Sequence, residues 1–293
     1  MLSVLALSRR ESAAAQNYLE QCLALNQEMG YLVGSEVCLN DLGYLAIRLE
    51  DYRAARQYLE QALAFSQLLE DRLTMPSILS NLGTIACWQG MYAIALNYFA
   101  QVISMARAMG IQELEAIDLH KSGLATLARG NLCEAREYFE QSLALSRSIP
   151  PGTLLPGTLG HLALLYQRFE QEDRASATLR EGLEVARGLP ASFAPARLAI
   201  LVAAARIWIL RGKPFQAALW LSLVEYDPQP SARTAYIKQD LQEGLTECQA
   251  ALPPEQCISA REQGRLLNQQ AVIDARPERA ASSLRPGVEH CLT

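Results

Sequence analysis

The sequence predicts an all-α fold, a solenoid in which antiparallel helix pairs stack one on another. Three observations predict it. Apolar residues recur at intervals of three and four, the spacing of amphipathic helices. Small and large side chains hold fixed positions from one repeat to the next. The third observation is a period of forty residues, seen as NYLEQCLAL from Asn17, QYLEQALAF from Gln57, NYFAQVISM from Asn97 and EYFEQSLAL from Glu137.

The columns of this repeat predict how the two helices of a pair pack. The small columns are Gly43, Gly83, Gly123 and Ala163, and Ala15, Ala55, Ala95, Ala135 and Ala175; the large ones are Leu19, Leu59, Phe99, Phe139 and Leu179, and Tyr18, Tyr58, Tyr98 and Tyr138. We expect the small columns to let two backbones approach and the large columns to fill the space between them. A single pair cannot bury its apolar face alone, so stacking is required.

The period divides residues 1–225 into six helix-pair units, of which the first is incomplete because Ser3 already falls in the glycine column. The sixth unit follows after a two-residue shift of the period. Its residues at the repeated positions are Ala205, Gly212, Ala217, Trp220 and Leu221. Tight turns between paired helices are predicted at Glu50-Asp51, Gly90-Met91, Gly130-Asn131 and Gly212-Lys213. The prolines and glycines of 150–157, and Pro190 with Pro195, predict loops or shortened helices.

Residues 226–271 depart from the repeat and predict two capping helices. The first carries Ile237, Leu241, Leu245, Cys248 and Leu252 on one face, and the second runs from about Glu255 to Ala271. Residues 272–293 are expected to form a disordered tail, because the segment is mostly polar and has no period.

The repeated residues resemble the tetratricopeptide repeat, in which an L-G pair precedes an A-x-x-x-F sequence. Leu42-Gly43 and Leu82-Gly83 match the first part, and Ala95-x-x-x-Phe99 and Ala135-x-x-x-Phe139 match the second. The resemblance implies a right-handed superhelix and a protein-binding function. This chain departs from the family in its forty-residue period and in lacking the helix-ending proline of most units.

The longer unit, together with residues 217–274, is similar to the sensor region of large ATP-dependent bacterial transcriptional regulators of the STAND class, which resemble the maltose activator. That resemblance implies a non-enzymatic sensor or interaction region, with the ATPase and DNA-binding parts in other domains. An alternative is a free-standing scaffold that associates, with itself or with an upstream domain, through its N-terminal edge. Val4, Leu5 and Leu7 begin that edge without a capping helix before them.

Composition and motifs exclude several functional classes. The net charge of -5, from 26 basic and 31 acidic residues, argues against direct nucleic-acid binding. Phosphate-binding glycine motifs are missing, and His120, His161 and His290 have no metal-binding spacing, so neither catalysis nor a cofactor is expected. A hydrolase with an unrecognised site is the remote alternative. Seven widely separated cysteines suggest reduced, mostly buried thiols in a cytoplasmic protein, and no apolar run is long enough to span a membrane.

The face of each first helix opposite its buried side is predicted to line a concave groove that binds a protein segment or a small inducer. Arginines there would suit an anion, and a tryptophan would suit a sugar or peptide. The competing interpretation is that Trp88 packs between units and that the arginines cover apolar surface. The candidate residues are Asn40, Tyr44, Arg48, Ser80, Thr84, Trp88, His120, Arg168 and Arg206.

Overall fold

The structure, a computed structural model, describes residues 9–149, 154–190, 193–227, 235–267 and 272–273. Within these ranges the side chains are described at all positions except 9–12 and 235–236. Every regular element in these ranges is helical, which confirms the predicted fold class. The helices are α1 Arg9–Glu28, α2 Leu32–Arg48, α3 Tyr52–Leu69, α4 Met75–Trp88, α5 Tyr92–Met109, α6 Gln112–Ala128, α7 Leu132–Ser146, α8 Leu154–Arg168, α9 Glu172–Gly188, α10 Ala194–Leu210, α11 Pro214–Glu225, α12 Ala235–Ala251 and α13 Pro254–Arg265.

The chain divides into two compact units, Met1–Ile149 and Pro150–Thr293. In the first unit, α1 packs on α2, and the hairpins α2–α3, α4–α5 and α6–α7 follow one another. In the second unit, the hairpins α8–α9 and α10–α11 are followed by α12, which packs on both α10 and α11, and by α13, which packs on α11. We call α2, α4, α6, α8 and α10 the first helices and their hairpin partners the second helices.

The glycine column sets the closeness of the paired helices. A Cβ atom added to Gly83 would lie 2.5 Å from Cε1 of Phe99, and one added to Gly43 would lie 2.5 Å from Cγ of Leu59. Gly123 stands in the same relation to Phe139, at 2.7 Å. The large side chain of the second helix therefore occupies the space that the glycine leaves, as the columns predicted.

The turns inside the hairpins use left-handed backbone at the predicted positions. Gly90, Gly130 and Gly212 have φ of 72°, 82° and 69°. Glu50 and Glu170 adopt φ of 64° and 58° in the corresponding turns, a conformation that costs a residue with a Cβ about 1–2 kcal/mol. The next helix starts at once, and in α3 the Asp51 carboxylate accepts a hydrogen bond from the Ala54 amide at 3.0 Å.

Three expectations about the later chain need correction. Pro156 and Gly157 are buried in the first turns of α8 instead of in a loop, since a proline near a helix start sacrifices no intrahelical hydrogen bond. The helix α13 ends at Arg265, six residues before the predicted end. Ile273, assigned to the tail, is fully buried, and its carbonyl accepts a hydrogen bond from Arg187 at 3.1 Å. The rest of the tail, 274–293, lies outside the described residues.

The cysteines are less buried than the sequence suggested. Of the six within the described ranges, Cys38 and Cys248 are buried and Cys87 and Cys257 are half-buried, whereas Cys22 and Cys133 are exposed. Positions on the solvent side of α1 and α7 explain the two exposed thiols. None of the helices described is long and apolar enough to cross a membrane.

Candidate functional site

Hydrogen bonds between polar side chains join the first helices of the first unit. Asn40 on α2 donates from Nδ2 to Oγ of Ser77 at 3.2 Å, and Asn81 on α4 donates from Nδ2 to Oδ1 of Asn40 at 3.2 Å. Both asparagines are half-buried, so their amides lie at the surface of this helix layer. We call this surface of α2, α4 and α6 the first-helix face.

A second set of hydrogen bonds continues the same row from α4 to α6. Lys121 donates from Nζ to Oγ of Ser80 at 2.6 Å, and the Ser80 hydroxyl donates to Oδ1 of Asp118 at 2.7 Å. Asp118 is completely buried. Burial raises the pKa of its carboxyl group, while Lys121 and the Ser80 hydroxyl act in the opposite direction. This arrangement places a half-buried ammonium group on the first-helix face and anchors it to the core.

Several predicted groove residues are packing residues. Thr84 is buried, and its hydroxyl donates to the Ser80 carbonyl at 2.8 Å. Trp88 stacks on Tyr52, with ring centroids 6.1 Å apart and planes at 11°. His120 meets the buried ring of Phe139 edge-on at 5.2 Å. For Trp88 the structure thus agrees with the packing interpretation, and Ser80 and Thr84 lie beneath the surface instead of on it.

The other predicted residues of the first unit remain on its first-helix face. Tyr44 is 42% exposed, which leaves its ring available to a partner. Arg48 is half-buried at the end of α2. With Asn40, Asn81 and Lys121, these side chains form a surface of amides, one aromatic ring and two cations.

In the second unit, acidic side chains of the capping helix α12 pair with the candidate residue Arg206. The guanidinium group, with the side chain only 8% exposed, lies 2.7 Å from Oδ1 of Asp240, 3.0 Å from Oε2 of Glu243 and 3.6 Å from Oε1 of Glu247. The predicted anion site is therefore filled by acidic side chains of the same chain. Arg168 is instead exposed at the end of α8 and takes no part in this cluster.

His161 completes the cluster around α12. Its Nε2 lies 3.3 Å from Oδ2 of Asp240, and its Nδ1 lies 2.8 Å from the Gly157 carbonyl. Burial raises the pKa of Asp240, but the hydrogen bonds and charges of His161 and Arg206 outweigh that effect, and the net pKa lies below its usual value. Asp240 is thus held as a carboxylate that ties α12 to α8 and α10.

The sequence contained an unused signal for the residues that the prediction missed. Asp41, Asn81, Lys121 and His161 occupy one column at the forty-residue spacing, and all four are polar. This column lies one position after the predicted column of Asn40, Ser80 and His120. A polar column in otherwise apolar first helices would have placed Asn81 and Lys121 on the first-helix face. Asp118 carried no such signal, because Cys38 and Ile78 hold its position in earlier units.

The described part of the chain offers little for metal chemistry. Within it, no group of three or more His, Cys, Asp or Glu side chains is placed to hold a metal ion. The polar groups on the first-helix face are amides, hydroxyls and single charges, which suit hydrogen bonding to a partner.

Comparison with protein families supports the repeat analysis. Residues 37–69 and 74–148 match models of the tetratricopeptide repeat. These two segments carry tetratricopeptide repeats. Such repeats stack into extended surfaces that bind other proteins, so the chain is an interaction scaffold in its architecture. No curated protein of related sequence matches it.

Solved structures of other proteins share this fold. BtubC (BKLC) from P. vanneervenii is 15% identical, with 85% of this chain and 94% of that chain covered and a TM-score of 0.57. The apo form of RapI is 12% identical, with 85% and 98% covered and a TM-score of 0.55. A putative kinesin light chain from Podosopora anserina with TPR-like repeats is 20% identical, with 70% and 95% covered and a TM-score of 0.50. Identities this low establish the fold alone, and the resemblance to ATP-dependent regulators stays a prediction.

Proposed function

We propose that this chain is a non-enzymatic scaffold that binds a protein segment on the first-helix face of its first unit. The row of half-buried polar side chains that connects α2, α4 and α6 carries the proposal. A row of amides that donate and accept suits an extended peptide, whose backbone presents both kinds of group. Tyr44 adds an exposed ring beside the row.

The charges of this face favour a segment that carries an acidic side chain or a carboxylate. Lys121 and Arg48 contribute cations there, and Asp118 lies buried beneath Lys121. In the second unit, three carboxylates already surround Arg206. Arg206 is therefore already paired within the chain, and we assign the anion preference to Lys121 and Arg48 of the first unit. A small anionic inducer on the same face is the related alternative.

A finer role follows from the resemblance to ATP-dependent regulators. In that role the scaffold is the sensor and interaction region of a signalling or transcriptional regulator, and occupation of the first-helix face is the event that it reports. The resemblance of residues 217–274 and the forty-residue unit support this role.

The exposed side of α1 favours association as a second function. Tyr18 and Leu25 of α1, and Met29 directly after it, are 71%, 59% and 79% exposed. An apolar surface of this kind fits a second copy or another protein at the N-terminal edge. Sedimentation of the full chain, compared with its Tyr18→Ser/Leu25→Ser variant, tests this function. A larger species that persists in the variant would contradict it.

Selection from a random peptide library displayed on phage tests the main proposal. The full chain is the bait, and bound peptides are compared between the wild type and two face variants, Asn81→Ala and Lys121→Glu. Both variants should bind the selected peptides at least tenfold more weakly, and Lys121→Glu should reduce the binding of acidic peptides most. Glu60→Ala, which changes an exposed residue of the second helix α3, is the matched control and should bind normally. Equal binding by all four proteins would place the site elsewhere.

A further inference from the structure

The helix α1 is held to the rest of the first unit by few side chains. None of its described side chains, from residue 13 to 28, is fully buried. Leu23 is its apolar contact with the core cluster that contains Leu39 and Leu59. Any additional link between α1 and α2 would therefore change how firmly the first unit holds this helix.

Two cysteines lie at this contact, and one asparagine side chain contacts both of them. The Asn26 amide nitrogen lies 3.5 Å from Sγ of Cys22 on α1 and 3.5 Å from Sγ of Cys38 on α2. The two thiols are therefore near neighbours across the contact between α1 and α2, because each sulfur lies 3.5 Å from the same nitrogen. Gly34 fixes this geometry, since a Cβ added there would lie 2.7 Å from the Asn26 nitrogen.

The two thiols differ in access to solvent. Cys22 is exposed, whereas the Cys38 side chain is buried, at 5% exposure. A dissolved reagent can therefore reach Cys22 directly but meets little exposed surface at Cys38. This division between an outer and an inner thiol is the arrangement that stepwise disulfide formation needs.

We propose that Cys22 and Cys38 form a redox-active pair, which a low-molecular-weight disulfide oxidises to an intrachain disulfide that joins α1 to α2. This modification site is independent of the proposed peptide-binding face. Glutathione disulfide represents the class of oxidant.

The reaction balances in two exchange steps. The Cys22 thiolate attacks glutathione disulfide, whose sulfur–sulfur bond breaks to release one glutathione thiolate and leave a mixed disulfide on Cys22. The Cys38 thiolate then attacks the Cys22 sulfur of that mixed disulfide and releases the second glutathione thiolate. Two protein thiols are oxidised and one external disulfide is reduced to two thiols, and both protons go to solvent.

Burial makes the second step the slower one. Burial raises the pKa of Cys38, and the Asp41 carboxylate acts in the same direction. The thiolate is the attacking species, so the rate of this step should rise with pH, by up to about tenfold per pH unit below the raised pKa. The glutathione adduct should therefore accumulate near neutral pH and convert to the disulfide at pH 9.

Mass spectrometry of a single tryptic peptide tests the proposal. No Lys or Arg lies between Arg10 and Arg48, so both cysteines fall in peptide 11–48. After treatment of the full chain with glutathione disulfide at pH 9, this peptide should be two hydrogen atoms lighter. Later alkylation of the unfolded protein should label at most five of its seven cysteines, because two are joined.

Variants separate the pair from nonspecific oxidation. Cys38→Ser should keep the adduct on Cys22 and lose the two-hydrogen change, and Cys22→Ser should lose both. Cys133→Ser is the matched control, since Cys133 is also exposed but lies on α7, and peptide 11–48 should react there as in the wild type. Persistence of the adduct in the wild type at pH 9 would overturn the proposal, as would a disulfide formed only after unfolding in urea. Hydrogen exchange of α1 gives a second readout and should slow in the oxidised protein.

Discussion

Replacing Gly83 with alanine should destabilise the first unit, although alanine is the better helix former. The new Cβ would lie 2.5 Å from Cε1 and 2.9 Å from Cδ1 of Phe99, whose ring is completely buried. Overpacking of this kind costs about 1–3 kcal/mol, and the better helix propensity of alanine returns about 1 kcal/mol. The expected net loss is about 1 kcal/mol, up to about 2 kcal/mol if the helices cannot separate.

Urea denaturation followed by far-ultraviolet circular dichroism measures this loss. Gly188→Ala is the control, since Gly188 is also helical and a Cβ added there meets no atom within 4 Å. The control should match the wild type or be slightly more stable. If Gly83→Ala were equally stable, the close approach of α4 and α5 at this glycine would be refuted as the reason for the glycine column.

Three further predictions concern the second unit and its turns. Arg206→Met should lower the free energy of unfolding by about 1–3 kcal/mol, less than the loss of a fully buried pair, because Glu243 and Glu247 are nearly half exposed; chemical denaturation checks this, and an unchanged midpoint would show that α12 does not depend on the pairing. Since the pKa of Asp240 is lowered in the folded state, its stabilisation should be complete above the ordinary value of about 4 and be lost as the pH falls through the lowered pKa. The free energy of unfolding should therefore change less steeply with pH in Asp240→Asn than in the wild type. Identical slopes would argue against the lowered pKa of Asp240. Glu170→Gly should stabilise the chain by about 0.5–1 kcal/mol by relieving a positive φ, which thermal unfolding can detect.

The repeat made most of the fold predictable. Contacts between helices of one hairpin are local in sequence, so columns such as Gly83 and Phe99 specify them directly. The turn positions followed as well, because left-handed backbone there favours the glycines found at residues 90, 130 and 212. Proline was the weaker guide, since Pro156 begins a helix as readily as it ends one.

The candidate site was less predictable because it depends on contacts between distant elements. Whether Arg206 is free or paired is decided by α12, whose acidic side chains begin 34 residues later and lie outside the repeat. Likewise, the depth of Ser80 depends on Asp118 of the next hairpin. The helical pattern placed Asn40 and Tyr44 on one side of α2 but could not say which polar column is outermost.

Hydrogen exchange of the full chain with and without a peptide selected from the library tests the proposed function most directly. A bound peptide should slow exchange in α2, α4 and α6, with the strongest effect around Asn81 and Lys121, and leave α3, α5 and α7 unchanged. Protection confined to those second helices, or to residues after Ile149, would contradict the assignment of binding to the first-helix face.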